Sequence, residues 1–219
     1  LEQPGGKGLC AMKGQLDLFV SFAFQLFIIV DPLAGIPIFL AITPGNTHEE
    51  RCRMAWRGCF VAFLVTVFFL FAGPFLLGYF GVETPSVRIC GGILLFVIAL
   101  EMLYGRPTRT GTSLREERIA QAKEDISITP LAIPLLAGPG AITTTLIFAG
   151  RTGTAGGYLA LLLATALIFG TSYVFLCRAD HIFRWVGTLG MTIVTRIMGL
   201  VLAFIAVQYV LDGVRTVLG

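Results

Sequence analysis

Asp31 and Pro32 stand side by side inside an apolar run covering about residues 16–43, and Gly138, Pro139 and Gly140 stand together inside a second, 128–149. Asp is a favoured N-cap and Pro a favoured first helical residue, so Asp31-Pro32 reads as the start of a new helix rather than a kink in an old one. The later piece would be about 18 Å long at 1.5 Å per residue, roughly half the hydrocarbon thickness of a bilayer. Gly35 permits close backbone approach and Pro37 withholds a donor in its first turns. In the other run Pro130 and Pro134 precede the break, Gly138 takes the cap position, Pro139 opens the helix, and Thr143, Thr144 and Thr145 follow.

A helix start carries unpaired N–H groups and about half a positive charge. At membrane depth such groups persist only when buried in protein or lining a wet cavity. Asp31 can satisfy its own helix start, whereas a glycine cap brings no side-chain acceptor. The second start therefore suits a substrate carboxylate, held by backbone N–H groups and the hydroxyls of Thr143 and Thr144. Asp31 supplies a fixed negative charge for an ammonium group, a proton or a sodium ion. A capping Asp needs no ligand in principle. Yet burying it costs at least about 2.5–3.5 kcal/mol, and helix-terminus stabilisation returns only about 0.3–2 kcal/mol, so a functional role is the better reading. Glu101, Gln208, Arg88 and Arg196 are accessory polar candidates near the ends of their spans. Gly91, Gly92 and Gly199 read as helix-packing positions, and Thr66, Thr171 and Ser172 as hydroxyls bonded to their own helices.

Other chemistries are poorly served. The five cysteines, Cys10, Cys52, Cys59, Cys90 and Cys177, are odd in number and show no CxxC spacing. Neither a disulfide framework nor a zinc site is read, and the thiols are expected to be inert. His48 and His181 lie in polar connections, which leaves no imidazole in the apolar interior for general-base work. No metal and no cofactor is expected beyond a coupling H+ or Na+.

The elements that must position these residues follow from composition. Of the 219 residues 56% are hydrophobic and 13% charged, against roughly a quarter charged in soluble domains. Six apolar segments emerge, at about 16–43, 55–80, 88–104, 128–149, 158–177 and 196–218, each able to span a bilayer. The chain is thus an all-α transmembrane protein. The net charge of +3 is spread over loops with no dense basic run, which excludes nucleic acid as a partner. Lys7, Lys13, Arg88, Arg151 and Arg215 would lie on one side of the membrane and the other eleven of the 16 basic residues on the opposite side. The positive-inside rule then puts both termini outside the cytoplasm. Residues 1–14 form a Gly-rich tail without an initial Met; part of it is expected to be upstream sequence, with Met12 a candidate start. No cleavable signal peptide is read.

An internal repeat organises the spans. The segment RICGGILLFVIA at 88–99 matches RIMGLVLAFIAV at 196–207, with Arg, Ile, Gly, Leu and Phe identical at an offset of 108. An offset of 107 places Asp31-Pro32 opposite Gly138-Pro139 and Glu101 opposite Gln208. Two units of three spans follow, 15–105 and 128–219, joined by a polar cytoplasmic connector at 106–127 that contains a short charged helix near 114–125. An odd span count inverts the second unit, as in many secondary transporters. The first and fourth spans are broken, and their half-helices would point N-terminus to N-terminus near the midplane.

The segments IVDPLAGIPIFL at 29–40, PLLAGPGAIT at 134–143 and AVQYVLDGV at 206–214 resemble the MarC family of six-span integral membrane proteins. The resemblance covers the chain from about Met12 onward, although the family pattern often has a polar residue where Ala34 stands. It implies a bacterial or archaeal inner-membrane protein. Some members are classed as neutral amino acid transporters, and others carry an old association with multiple antibiotic resistance. The expected function is a secondary transporter of small zwitterions, with neutral amino acids of Gly or Ala size as the expected substrates, rather than an enzyme. Substrate-binding candidates are Asp31, Pro32, Gly35, Gly138, Pro139, Gly140, Thr143 and Thr144. Expected partners are a small-molecule substrate, membrane lipid and a second copy in a homo-oligomer. The competing readings are a lipid or lipid-phosphate translocator using Arg88 and Arg196, a membrane enzyme pairing Asp31 with Glu101, and a non-catalytic scaffold.

Overall fold

The computed structural model describes residues 5–105 and 136–218. They form seven helices: α1 Gly5–Val30, α2 Pro32–Ile42, α3 His48–Tyr79, α4 Thr84–Tyr104, α5 Pro139–Ala149, α6 Ala155–Cys177 and α7 Ala179–Leu218. No strand occurs among the described residues. Five helical stretches are long and apolar enough to cross a membrane, with Lys13–Ile42 counted as one, and α5 is a shorter apolar helix. Large apolar side chains such as Phe24, Phe68, Phe75 and Phe204 are exposed. That outward apolar belt is what a lipid solvent requires, and it accounts for the excess of Phe over Trp and Tyr.

Polar residues set the helix ends. Thr47 and Glu50 form a reciprocal capping box at the start of α3, and the Thr154 hydroxyl accepts the Gly157 N–H at the start of α6. Gly105 ends α4 in the left-handed conformation, at φ 63°.

Small residues bring the helices together. An added Cβ on Gly92 would lie 2.7 Å from the Ala206 carbonyl oxygen, one on Gly199 would meet Met102 and the Ala99 carbonyl, and one on Gly213 would meet Ile89 and the Pro85 carbonyl. As the α4 numbers rise the α7 numbers fall, so α4 and α7 pack antiparallel with their backbones in close approach. Aromatic pairs join α3 to α6, also antiparallel: Trp56 with Tyr173, Phe63 with Phe169 and Phe71 with Tyr158. Along α4, Gly91 faces Thr143, Leu95 faces Gly140 and Thr84 faces Gly150, so α5 runs antiparallel to α4 and begins beside its middle. At the far end of α2, Arg51 donates to the Thr43 carbonyl oxygen at 3.0 Å and to Asp180 at 2.6 Å. That clamp fixes the end of α2 to the starts of α3 and α7. The hydroxyls of Thr66, Thr171 and Ser172 do bond to carbonyls of their own helices.

Three expectations need correction or fall outside the description. The last helix begins at Ala179, not near 196. Its backbone breaks at Gly187, where φ is 70°, a conformation glycine alone adopts at no steric cost. The segment before the break contains Asp180, His181 and Arg184, and these charges hid an amphipathic helix that half-buries Ile182 and Phe183 while exposing Trp185. Likewise α4 starts at Thr84 rather than 88, because Pro85 occupies its first turn. The connector at 106–127 and the first part of the fourth apolar segment lie outside the described residues.

Candidate functional site

The site is built around the interruption between α1 and α2. Asp31 is the one non-glycine residue among those described with positive φ, at 39°. The left-handed region costs an L-residue energy, and Asp tolerates it better than most. The Asp31 N–H still bonds the Phe27 carbonyl at 2.9 Å, closing α1, while its own carbonyl accepts the Gly35 N–H at 3.2 Å, opening α2. Its Oδ1 accepts the Ala34 N–H at 3.2 Å. Pro32, at the first helical position, and Gly35 are both buried. Asp31 itself is only 8% exposed. Its second oxygen, Oδ2, is buried and has no hydrogen-bond partner among the described residues. A buried orphan acceptor costs free energy, and more when it carries charge.

The start of α5 supplies the complement. Gly138 is the N-cap, in extended conformation, with no side-chain cap bond, and Pro139 follows at the first helical position. The first helical bond runs from the Ile142 N–H to the Gly138 carbonyl at 3.2 Å. A Cβ on Gly140 would sit 2.6 Å from Leu95 Cδ2 and 3.0 Å from Ile29 Cγ2. Ile29 is two residues before Asp31, so the two helix starts are neighbours across one apolar side chain. Thr145 spends its hydroxyl on the Ala141 carbonyl at 2.7 Å. Thr144 does not: its Oγ1 is buried without a hydrogen-bond partner among the described residues.

Two further polar residues, which local sequence reasoning passed over, meet near Thr144. The Tyr209 hydroxyl of α7 donates to Gln25 Oε1 of α1 across 184 positions. That hydroxyl also has the Thr144 side chain as a polar neighbour, and the charges of Arg151, Arg88 and Asp212 reach it. Arg88 Nε is buried and unpartnered among the described residues. Nothing in the periodicity of α1 marks Gln25. Tyr209 sits within the segment 206–214 that carried the family resemblance, and that was its only signal.

The remaining candidates are not gathered here. Gln208 faces outward, exposed, and donates to Asp212 Oδ1 at 2.7 Å; one helical position separates it from Tyr209, which turns inward. Arg196 is exposed and lines a groove of about 290 Å³ with Pro37, Met102 and Gly105. Arg88 does not line that groove. Glu101 is half-buried in the last turn of α4, where its carbonyl accepts the Gly105 N–H.

The cysteine expectation is overturned. Cys52 and Cys177 meet as a disulfide with Cα atoms 4.6 Å apart and 125 positions between them. Local spacing rules see only neighbouring cysteines, which is why this pair escaped them. Cys59 is a buried free thiol and Cys90 an exposed one.

Apolar helices of membrane-spanning length, an outward apolar belt and a polar interruption inside one span define a multi-pass integral membrane protein. The sequence pattern described as "MarC family integral membrane protein" matches residues 16–218, and the chain belongs to that family. It is 35% identical to a UPF0056 membrane protein of Aquifex aeolicus, over 92% of this chain and 94% of that one. It is 35% identical to the UPF0056 inner membrane protein YhgN of Escherichia coli K12, over 91% and 98%, and 34% identical to YvbG of Bacillus subtilis, over 91% and 95%. No solved structure matches the chain.

Proposed function

We propose that this protein is a secondary transporter of small zwitterionic solutes, with neutral amino acids as the substrate class, and not an enzyme. The observation that carries the reading is the Asp31 carboxylate. It is buried at a helix interruption with one oxygen unpartnered, beside a second helix start that has no side-chain cap. An ammonium group, a proton or a sodium ion completes the first, and a carboxylate completes the second through the α5 N–H groups and Thr144. Intramembrane carboxylates that pair with nothing are otherwise too costly to keep.

The packing supports two inverted halves. In this reading α2 corresponds to α5, α3 to α6 and α4 to α7. α2 packs on α7 as α5 packs on α4, α3 packs on α5 as α6 packs on α2, and α3–α6 and α4–α7 pair with each other. From the level of Asp31, α2 leads towards the Arg51–Asp180 end, and α5 leads towards the Thr84 end. Rocking of one half against the other would then open the shared centre to each face in turn. In this reading the end rich in Arg51, Arg53 and Arg57 faces the cytoplasm, as the positive-inside rule prefers, and both termini lie outside.

A lipid-phosphate translocator has one observation in its favour, the unpartnered Arg88 Nε, but Arg196 lies elsewhere. Uptake by proteoliposomes separates the readings. Wild-type protein should accumulate labelled glycine or alanine when a proton or sodium gradient is imposed, and Asp31→Asn should abolish that accumulation. Full-rate accumulation by Asp31→Asn would remove Asp31 from the mechanism.

A further inference from the structure

Chemistry of a different kind stands at the end of the bundle where α3 begins and α6 ends. His48 opens α3, and Cys52 follows four residues later on the same helix face. Cys177 is the last residue of α6. His48 Nε2 stands 3.6 Å from Cys52 Sγ, and the three donor atoms all lie within 4.8 Å of one another. His48 is exposed and both cysteines are half-buried, so the cluster opens to water on one side. Nearby, Asp180 pairs with Arg51, and Arg51 also donates to the Thr43 carbonyl.

We propose that His48, Cys52 and Cys177 form a binding site for a thiophilic d10 cation, Zn2+ in the first instance, in the dithiol form of the protein. Two thiolates and one imidazole make a soft, borderline donor set of the kind zinc takes, with water closing the tetrahedron. Zinc needs sulfur at about 2.3 Å and nitrogen at about 2.0–2.1 Å, so on this proposal the three side chains close on the ion by rotation from their two helix ends. The disulfide is the oxidised form of the same site. A small dithiol reduces it: the S–S bond breaks, two electrons pass to the protein sulfurs, the reductant becomes its own disulfide, and two protons move to the cysteines. Metal binding then releases those two protons. Either state ties α3 to α6, next to the Arg51 clamp on α2. This site is independent of the transport reading.

The test uses the full-length protein in detergent, reduced with dithiothreitol, freed of reductant anaerobically and titrated with Co2+. A thiolate-to-cobalt charge-transfer band should saturate at one equivalent and be bleached by one equivalent of Zn2+. It should persist when Cys10, Cys59 and Cys90 are all serine and vanish in Cys177→Ser. His48→Ala, which keeps both thiols and the disulfide option, should bind cobalt at least about tenfold more weakly, since even supporting groups around a metal are worth about 10–100-fold. Absence of the band in reduced wild type, its survival in Cys177→Ser, or unchanged affinity in His48→Ala would each overturn the proposal. So would a Cys52–Cys177 cross-link that dithiothreitol leaves intact in the folded protein.

Discussion

Asp31 does two jobs that one substitution can separate. As an N-cap in the left-handed region it fixes the junction of α1 and α2, and Asn serves both roles about as well as Asp. As a buried carboxylate with one unpartnered oxygen it is a burden on the fold. Asp31→Asn removes the charge and keeps the cap. Its thermal midpoint in detergent should therefore match or exceed that of wild type even though transport is lost, the pattern expected where a site is kept for function rather than stability. A midpoint several degrees lower would make Asp31 a structural residue. Asp31 and Gly138-Pro139 were legible in the sequence because Pro and Gly announce a change of backbone on their own. Tyr209 with Gln25, and Cys52 with Cys177, were not, because each pair is assembled by packing across more than a hundred positions.

The helices owe their mutual distances to glycine. Gly92 has no room for a methyl group against the Ala206 carbonyl and Val210, whereas Gly170, exposed on α6, has nothing within 4 Å of an added Cβ. Gly92→Ala should force α4 from α7 and cost about 1–3 kcal/mol, read as a lower thermal midpoint and a smaller yield of monodisperse protein. Gly170→Ala should change neither. Equal effects from the two would deny that α4 and α7 are held by close backbone approach. Helix identity was readable from apolar run length alone, and the packing role of Gly91, Gly92 and Gly199 from their small size inside apolar spans. The start of α7 was not, since its first eight residues carry three titratable side chains and satisfy them at the bundle's edge, where water remains available.

At the scale of the whole molecule, the proposed duplication draws on the repeat offset, the antiparallel α4–α7 pair and the reciprocal packing of α2 and α5. On the transport proposal the functional centre lies where the two halves meet, between Asp31 and the start of α5. The most direct test is the reactivity of a single cysteine at position 144, in protein whose native cysteines are serine, towards a membrane-impermeant methanethiosulfonate applied to either face of sealed vesicles. Thr144→Cys is close to isosteric and points the thiol where an unpartnered buried hydroxyl now sits. The transport account predicts labelling, slowed by glycine or alanine, and loss of that protection when Asp31 is also changed to Asn. A thiol that stays unreactive from both faces would contradict it, because the centre would then be a dry contact and not a place for a solute.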